Sequence, residues 1–142
     1  MATKADFTED EWAAVQKGVT GSAMLVSMSD HDFTDSFGEV GALAKFLQGQ
    51  QVAGTSELVR EMAKTRGTGF GLTTSPEEMR TETVAALQSS LAALAAKAPD
   101  EVDGYRALVL GAAQAVADAK GGGIAPVEQA MLDQIRAALE GA

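Results

Sequence analysis

Apolar positions recur along this chain at helical spacing from end to end, and nowhere with the sustained alternation that a half-buried strand needs. Trp12, Val15, Val19, Leu25 and Val26 make the first such face, which runs to about Met28. Thr8, with Glu11 three residues later, forms a capping box in front of it, and Phe7 stands where a hydrophobic staple onto Trp12 is expected. Gly18 and Gly21 fall inside this segment, where they weaken a helix but let a neighbour approach closely. Short polar residues at 29–34 end it. Thr34 or Asp35 caps a second helix, with Phe37, Val40, Leu43, Ala44 and Leu47 on its buried side and its end at 49–51. Thr55 or Ser56 caps a short third helix that turns Leu58, Val59 and Met62 inward.

After an irregular stretch at 66–75, read as a surface loop, Ser75, Pro76, Glu77 and Glu78 give the clearest helix start in the protein. They supply a cap, a first-turn proline and carboxylates at the positive end of the dipole. That helix runs to about Ala96 and buries Met79, Leu87, Leu91 and Leu94. A fifth begins within 100–103, carries Val102, Tyr105, Leu108 and Val109, and continues through Ala112, Ala115, Val116 and Ala119. Three glycines at 121, 122 and 123 end it, and Ile124 follows as a hydrophobic plug. Pro126 then opens the last helix, with Glu128 in its first turn. Val127, Met131, Ile135 and Leu139 read as its apolar face. The expectation is an all-α protein: one domain over 1–142, a compact bundle of five to seven helices without a sheet.

The pattern also repeats. GSAMLVSMSDHDF, from 21, can be laid beside GAAQAVADAKGGGI, from 111, with one inserted residue. Each has a small-residue helix, a polar break and a hydrophobic plug before another helix. Two helix–loop–helix pairs are therefore predicted, one near each end, with 56–97 between them.

Composition narrows the function. Twenty acidic residues against eleven basic ones give a net charge of −9, with no basic patch for a nucleic acid. An acidic balance suits cations or a basic protein surface, and it also keeps a small domain soluble. The absence of cysteine excludes disulfides, thiolate metal sites and cysteine catalysis. No apolar run approaches the roughly 20 residues that span a bilayer. MATKADFTEDEW carries no apolar signal core, so no membrane partner and a cytoplasmic address are expected.

Candidate chemistry is sparse. Asp30, Asp32, Asp35 and Glu39 form the densest acidic group, and oxygen-rich groups suit Ca²⁺, Mg²⁺ or Mn²⁺. As an EF-hand loop the group fails, because Asp35 and Gly41 stand where a glycine and a glutamate are required; helix capping is the alternative for these acids. His31 is the only histidine, too few for an ordinary protein zinc site. Gly67, Gly69 and Gly71 lack the Lys–Ser/Thr pair and the preceding strand of a phosphate loop. Arg60, Lys64 and Arg66 read as a solvated face pairing with Glu57 and Glu61 rather than an anion site. One histidine and scattered acids assemble no catalytic centre, so the chain is expected not to be an enzyme.

GGIAPVEQAMLDQI, with Gly122, Ile124 and Glu128, resembles the second motif of the tellurite-resistance TerB-like family. In the first pair Asp30 matches the turn aspartate and Phe33 the plug. Two positions depart: Gly121 replaces the second turn aspartate, and Phe37 replaces the first glutamate. The resemblance implies an all-helical fold with two helix–loop–helix pairs, and metal ions bound by acidic turn residues. If the pairs pack about a pseudo-twofold axis, Asp30 and Asp32 approach Glu128 and Asp118, and one shared site completes two incomplete motifs. The sequence thus offers two functions: a TerB-like domain binding a divalent cation in a stress response, or a helical interaction module, with a protein partner or a second copy of itself, whose acids are only surface.

Overall fold

The computed structural model describes residues 3–29, 36–64, 75–119 and 126–140, with side chains at all of these except 28, 29 and 36–40. Among the described residues the regular structure is six α-helices and two short 3-10 turns, with no strand. The helices are α1 (Glu9–Ser29), α2 (Ser36–Ala53), α3 (Glu57–Met62), α4 (Pro76–Lys97), α5 (Val102–Asp118) and α6 (Pro126–Glu140); the turns are Lys4–Asp6 and Pro99–Glu101. None of these helices is long and apolar enough to cross a membrane.

Local signals set the helix starts. The Thr8 amide donates to Glu11 Oε1 at 2.8 Å while the Glu11 amide donates to Thr8 Oγ1 at 3.1 Å, the reciprocal capping box expected for α1. Ser56 caps α3 by accepting from the Val59 amide, and Ser75 caps α4 by accepting from the Glu78 amide, with Pro76 at the first helical position. The inward faces follow helical spacing: Val15, Val19 and Val26 on α1, Leu87, Leu91 and Leu94 on α4, and Tyr105, Leu108 and Val109 on α5 are all buried.

Specific contacts give the directions. α1 and α4 are antiparallel, since Glu11 pairs with Lys97 at one end while Gly21 meets Thr83 toward the other. α4 turns through Pro99–Glu101 into α5, so α5 runs back parallel to α1, and the Tyr105 hydroxyl donates to the Val15 carbonyl at 2.9 Å. α2 is antiparallel to α5: the Phe46 ring lies over Gly111, and Thr55 with Val59 lies beside Gly104. α6 is antiparallel to α5, and Arg106 Nε donates to the Leu139 carbonyl at 3.2 Å, satisfying the end of α6. α2 packs mainly on α5 and scarcely on α1, whereas α6 packs on α1 as well as on α5.

The closest approach uses the two glycines of α1. A Cβ at Gly21 would collide with the Thr83 side chain, and one at Gly18 with the Tyr105 hydroxyl and Leu87. Thr83, Ser22 and Ser90 are fully buried in this region, and Ser90 Oγ donates back to the Ala86 carbonyl at 2.6 Å. Polar residues thus line part of a core that hydrophobic periodicity alone would fill with leucine.

Some expectations need correction. α2 does not stop at 49–51 but continues to Ala53, because Gly49 faces open space and α2's last turn is secured further on. There the Gly54 amide donates to the Gln50 carbonyl at 2.9 Å, and Arg60 Nη1 donates to the Gly54 carbonyl at 3.1 Å. Arg60 is therefore a half-buried clasp between α2 and α3 rather than part of a solvated face, while Lys64 does pair with Glu61 at 3.0 Å. Ala44 is exposed, since α2 presents Leu43, Phe46 and Leu47 to the core instead. On α6 the core-facing row is Glu128, Met131, Leu132, Ile135 and Leu139; Val127 lies off it and is 52% exposed. The side chains of Phe37, Val40 and Glu39, and all of 66–74 and 120–125, lie outside the described residues.

The N-terminal corner ties three elements together. The Lys97 ammonium donates to Glu11 Oε1 and, at 3.0 Å, to the Asp6 carbonyl, and it sits 5.6 Å from the Phe7 ring centroid. Lys97, with the Thr8 amide, holds the Glu11 carboxyl below the ordinary glutamate value. A carboxyl depressed in the folded state stabilises it above the unfolded value, and that contribution is lost as pH falls through the folded value. The melting temperature of Glu11→Gln is expected below that of the native chain at neutral pH, and the gap is expected to close below pH about 4. Thermal melts of both proteins from neutral pH to acid check this; a gap that widens in acid contradicts it.

Candidate functional site

The helix directions bring one set of termini to a single pole of the bundle. There α1 ends at Ser29 and α5 at Asp118, while α2 begins at Ser36, α4 at Pro76 and α6 at Pro126. Both breaks singled out in the sequence, after α1 and after α5, therefore leave the bundle at the same end. Three helix N-termini share this pole with two C-termini, so the dipoles largely offset one another, with one N-terminus in excess.

Glu128 is the most constrained acid at this pole. It occupies the first turn of α6 and is 0% exposed, in line with Met131, Leu132, Ile135 and Leu139 on the inward row. The sequence contained the signal for this, since 128, 131, 132, 135 and 139 follow helical spacing as well as the row begun at Val127 does. Placing a valine inside and a glutamate outside is the ordinary preference; here the fold reverses it.

Asp118 closes α5 at the same pole, but it is exposed, and its Oδ1 accepts from Gln114 Nε2 at 3.0 Å. Asp30 and Asp32 lie outside the described residues, as do His31 and Asp35. Among the described residues no three His, Cys, Asp or Glu side chains come together in a way that holds a metal ion. The described residues thus supply one buried carboxylate, one exposed and engaged one, and a topology that ends α1 and α5 at one pole.

Elsewhere the buried polar groups are structural. Burial pushes the Tyr105 phenol above its ordinary value, a hydrogen bond with Ser90 opposes that shift, and its proton is committed to the Val15 carbonyl. Ser56 Oγ donates to Glu101 Oε2 at 2.5 Å, fixing the start of α3 against the Pro99–Glu101 turn. Comparison with family models, with curated proteins and with solved structures found no match to this chain.

Proposed function

We propose that this chain is a TerB-like helical domain that takes up a divalent cation, Ca²⁺, Mg²⁺ or Mn²⁺, at the pole where its two helix–loop–helix pairs turn. One observation carries the reading: Glu128 holds a fully buried, core-facing position at the pole that α1 and α5 both reach. An apolar side chain there would avoid the penalty of taking a carboxylate out of water. A carboxylate is what a hard cation requires, because such ions are held by oxygen ligands. Asp30 and Asp32 are the further ligands the sequence supplies, and Asp118 stands at the rim. The TerB-like resemblance carries the proposal to a cytoplasmic stress response.

Titration calorimetry with each of the three ions tests it. Heat is expected with at least one, and Asp30→Asn and Glu128→Gln are each expected to abolish it. Asp30→Asn is the cleaner variant if Glu128→Gln also weakens the fold. Native mass spectrometry is expected to show an added ion that EDTA removes; silence with all three ions overturns the reading. A helical interaction module is the second reading, favoured by an alanine-lined groove between α1 and α4. Neither Val52, 83% exposed, nor Val127 lines that groove.

A further inference from the structure

Residues 3–7, ahead of α1, form a strap folded on itself. The Thr3 amide donates to Asp6 Oδ2 at 2.7 Å, and the Asp6 and Phe7 amides donate to the Thr3 and Lys4 carbonyls. Phe7 has extended backbone and joins this 3-10 turn to the capping box of α1, so the turn hangs on one linking residue. Thr3, Lys4, Ala5 and Asp6 are exposed, and Phe7 is the one buried side chain of the strap.

Among the described residues, a single hydrogen bond ties the strap to a distant part of the chain, from Lys97 Nζ to the Asp6 carbonyl at 3.0 Å. The same ammonium sits 5.6 Å from the Phe7 ring centroid and pairs with Glu11 just beyond the hinge. The other ring contacts run to Trp12 near the start of α1, from the Phe7 ring and the Lys4 ammonium. Toward α3 the strap does not close down. A gap of about 170 Å³ separates Thr3, Lys4 and Ala5 from Glu57, Leu58 and Glu61.

We infer that residues 3–7 open as one unit about Phe7, with Lys97 as the latch, and that opening turns a polar corner into an apolar one. Closed, the strap shows solvent its four polar or small residues. Open, it withdraws Phe7 from its seat and uncovers Trp12 and the Leu58 edge of the gap. A piece that opens locally has few buried apolar contacts and hydrogen bonds that close within itself, and the strap has both. The latch responds to salt, because the Lys97 and Glu11 side chains are 33% and 30% exposed. This corner lies at the end of the bundle away from the cation site and does not depend on it.

Hydrogen exchange of the full chain, read amide by amide by nuclear magnetic resonance, tests the inference. The Asp6 and Phe7 amides are expected to exchange through an opening that urea below the unfolding transition does not accelerate, because it exposes little surface. The Val109 amide, buried in α5, is expected to accelerate steadily over the same range. Lys97→Met keeps the stem and removes the charge, and is expected to accelerate Asp6 and Phe7 by about tenfold. Salt raised to about 1 M is expected to accelerate both amides in the native chain, which tests the latch without any substitution. Strap amides that follow urea in step with Val109 overturn the inference, since the strap then opens only with the whole fold. So does exchange that Lys97→Met leaves at the native rate, and so does native exchange that salt leaves unchanged.

Discussion

Trp12→Ala is expected to lower the stability of the protein by about 3–5 kcal/mol, the range for removing a large buried aromatic side chain. Trp12 is only 6% exposed and holds the N-terminal corner together. Its ring lies 5.8 Å from that of Phe7, tilted by 54°, and the Lys4 ammonium sits 5.7 Å from its centroid. Alanine removes all of these partners at once and leaves a cavity between α1 and the preceding turn. The indole N–H, by contrast, contributes nothing that must be replaced, since it is buried without a hydrogen-bond partner among the described residues. Trp12→Phe keeps a ring against Phe7 and discards that donor, so it is expected to cost less than about 1.5 kcal/mol. Urea unfolding followed by far-ultraviolet circular dichroism separates the two variants. Equal losses would show that the hydrogen-bonding group, not the ring, matters, and a loss below about 1 kcal/mol for alanine would place the ring outside the core.

That corner shows what the sequence made legible. Thr8, Glu11, Phe7 and Trp12 are neighbours in the chain, and their interactions are local rules of helix initiation, so spacing alone predicted them. The same holds for Ser56, and for Ser75 with Pro76. Lys97, which closes the corner from 86 residues away, obeys no local rule; its partner is set by the antiparallel path of α4 along α1. Arg60 escapes the local rules for the same reason. Its spacing from Glu57 and Glu61 suggests a surface pair, yet the bend between α2 and α3 brings the Gly54 carbonyl within its reach.

The candidate site divides along the same line. The motif and the helix dipole both describe Glu128 as an exposed first-turn acid. Its burial depends on which row of α6 faces α1, α4 and α5, and two rows of nearly equal quality compete in PVEQAMLDQI. Leu132 decides between them: with Met131, Ile135 and Leu139 it gives the row through Glu128 more apolar area than the row through Val127 obtains without it. Assumed twofold packing predicts that the C-termini of α1 and α5 share one pole. In the structure that arrangement follows from two successive reversals, α1 against α4 and α4 against α5, which no periodicity within a single helix records.

Gly18 is where sequence propensity and packing oppose each other most directly. In an exposed helix interior, Gly→Ala gains about 1 kcal/mol. At Gly18 the new methyl would meet the Tyr105 hydroxyl and, at 2.9 Å, Leu87 Cδ2, so Gly18→Ala is expected to cost about 1–3 kcal/mol instead. Tyr105→Phe alone is expected to cost about 1 kcal/mol, by removing the buried hydrogen bond to the Val15 carbonyl. The two losses are not expected to add. Once the hydroxyl is gone, only the end of the Leu87 side chain stands in the way of the methyl, and a leucine methyl can rotate aside where a hydrogen-bonded phenol cannot. The double variant is therefore expected to be more stable than the sum of the single losses by about 0.5–2 kcal/mol. Urea unfolding of the four proteins closes the cycle. Additivity within about 0.5 kcal/mol would show that the alanine methyl is resisted by the helix-to-helix distance itself, through Leu87 and the α4 backbone. A positive coupling assigns the resistance to one hydroxyl, and makes Gly18 the residue that lets Tyr105 reach into α1.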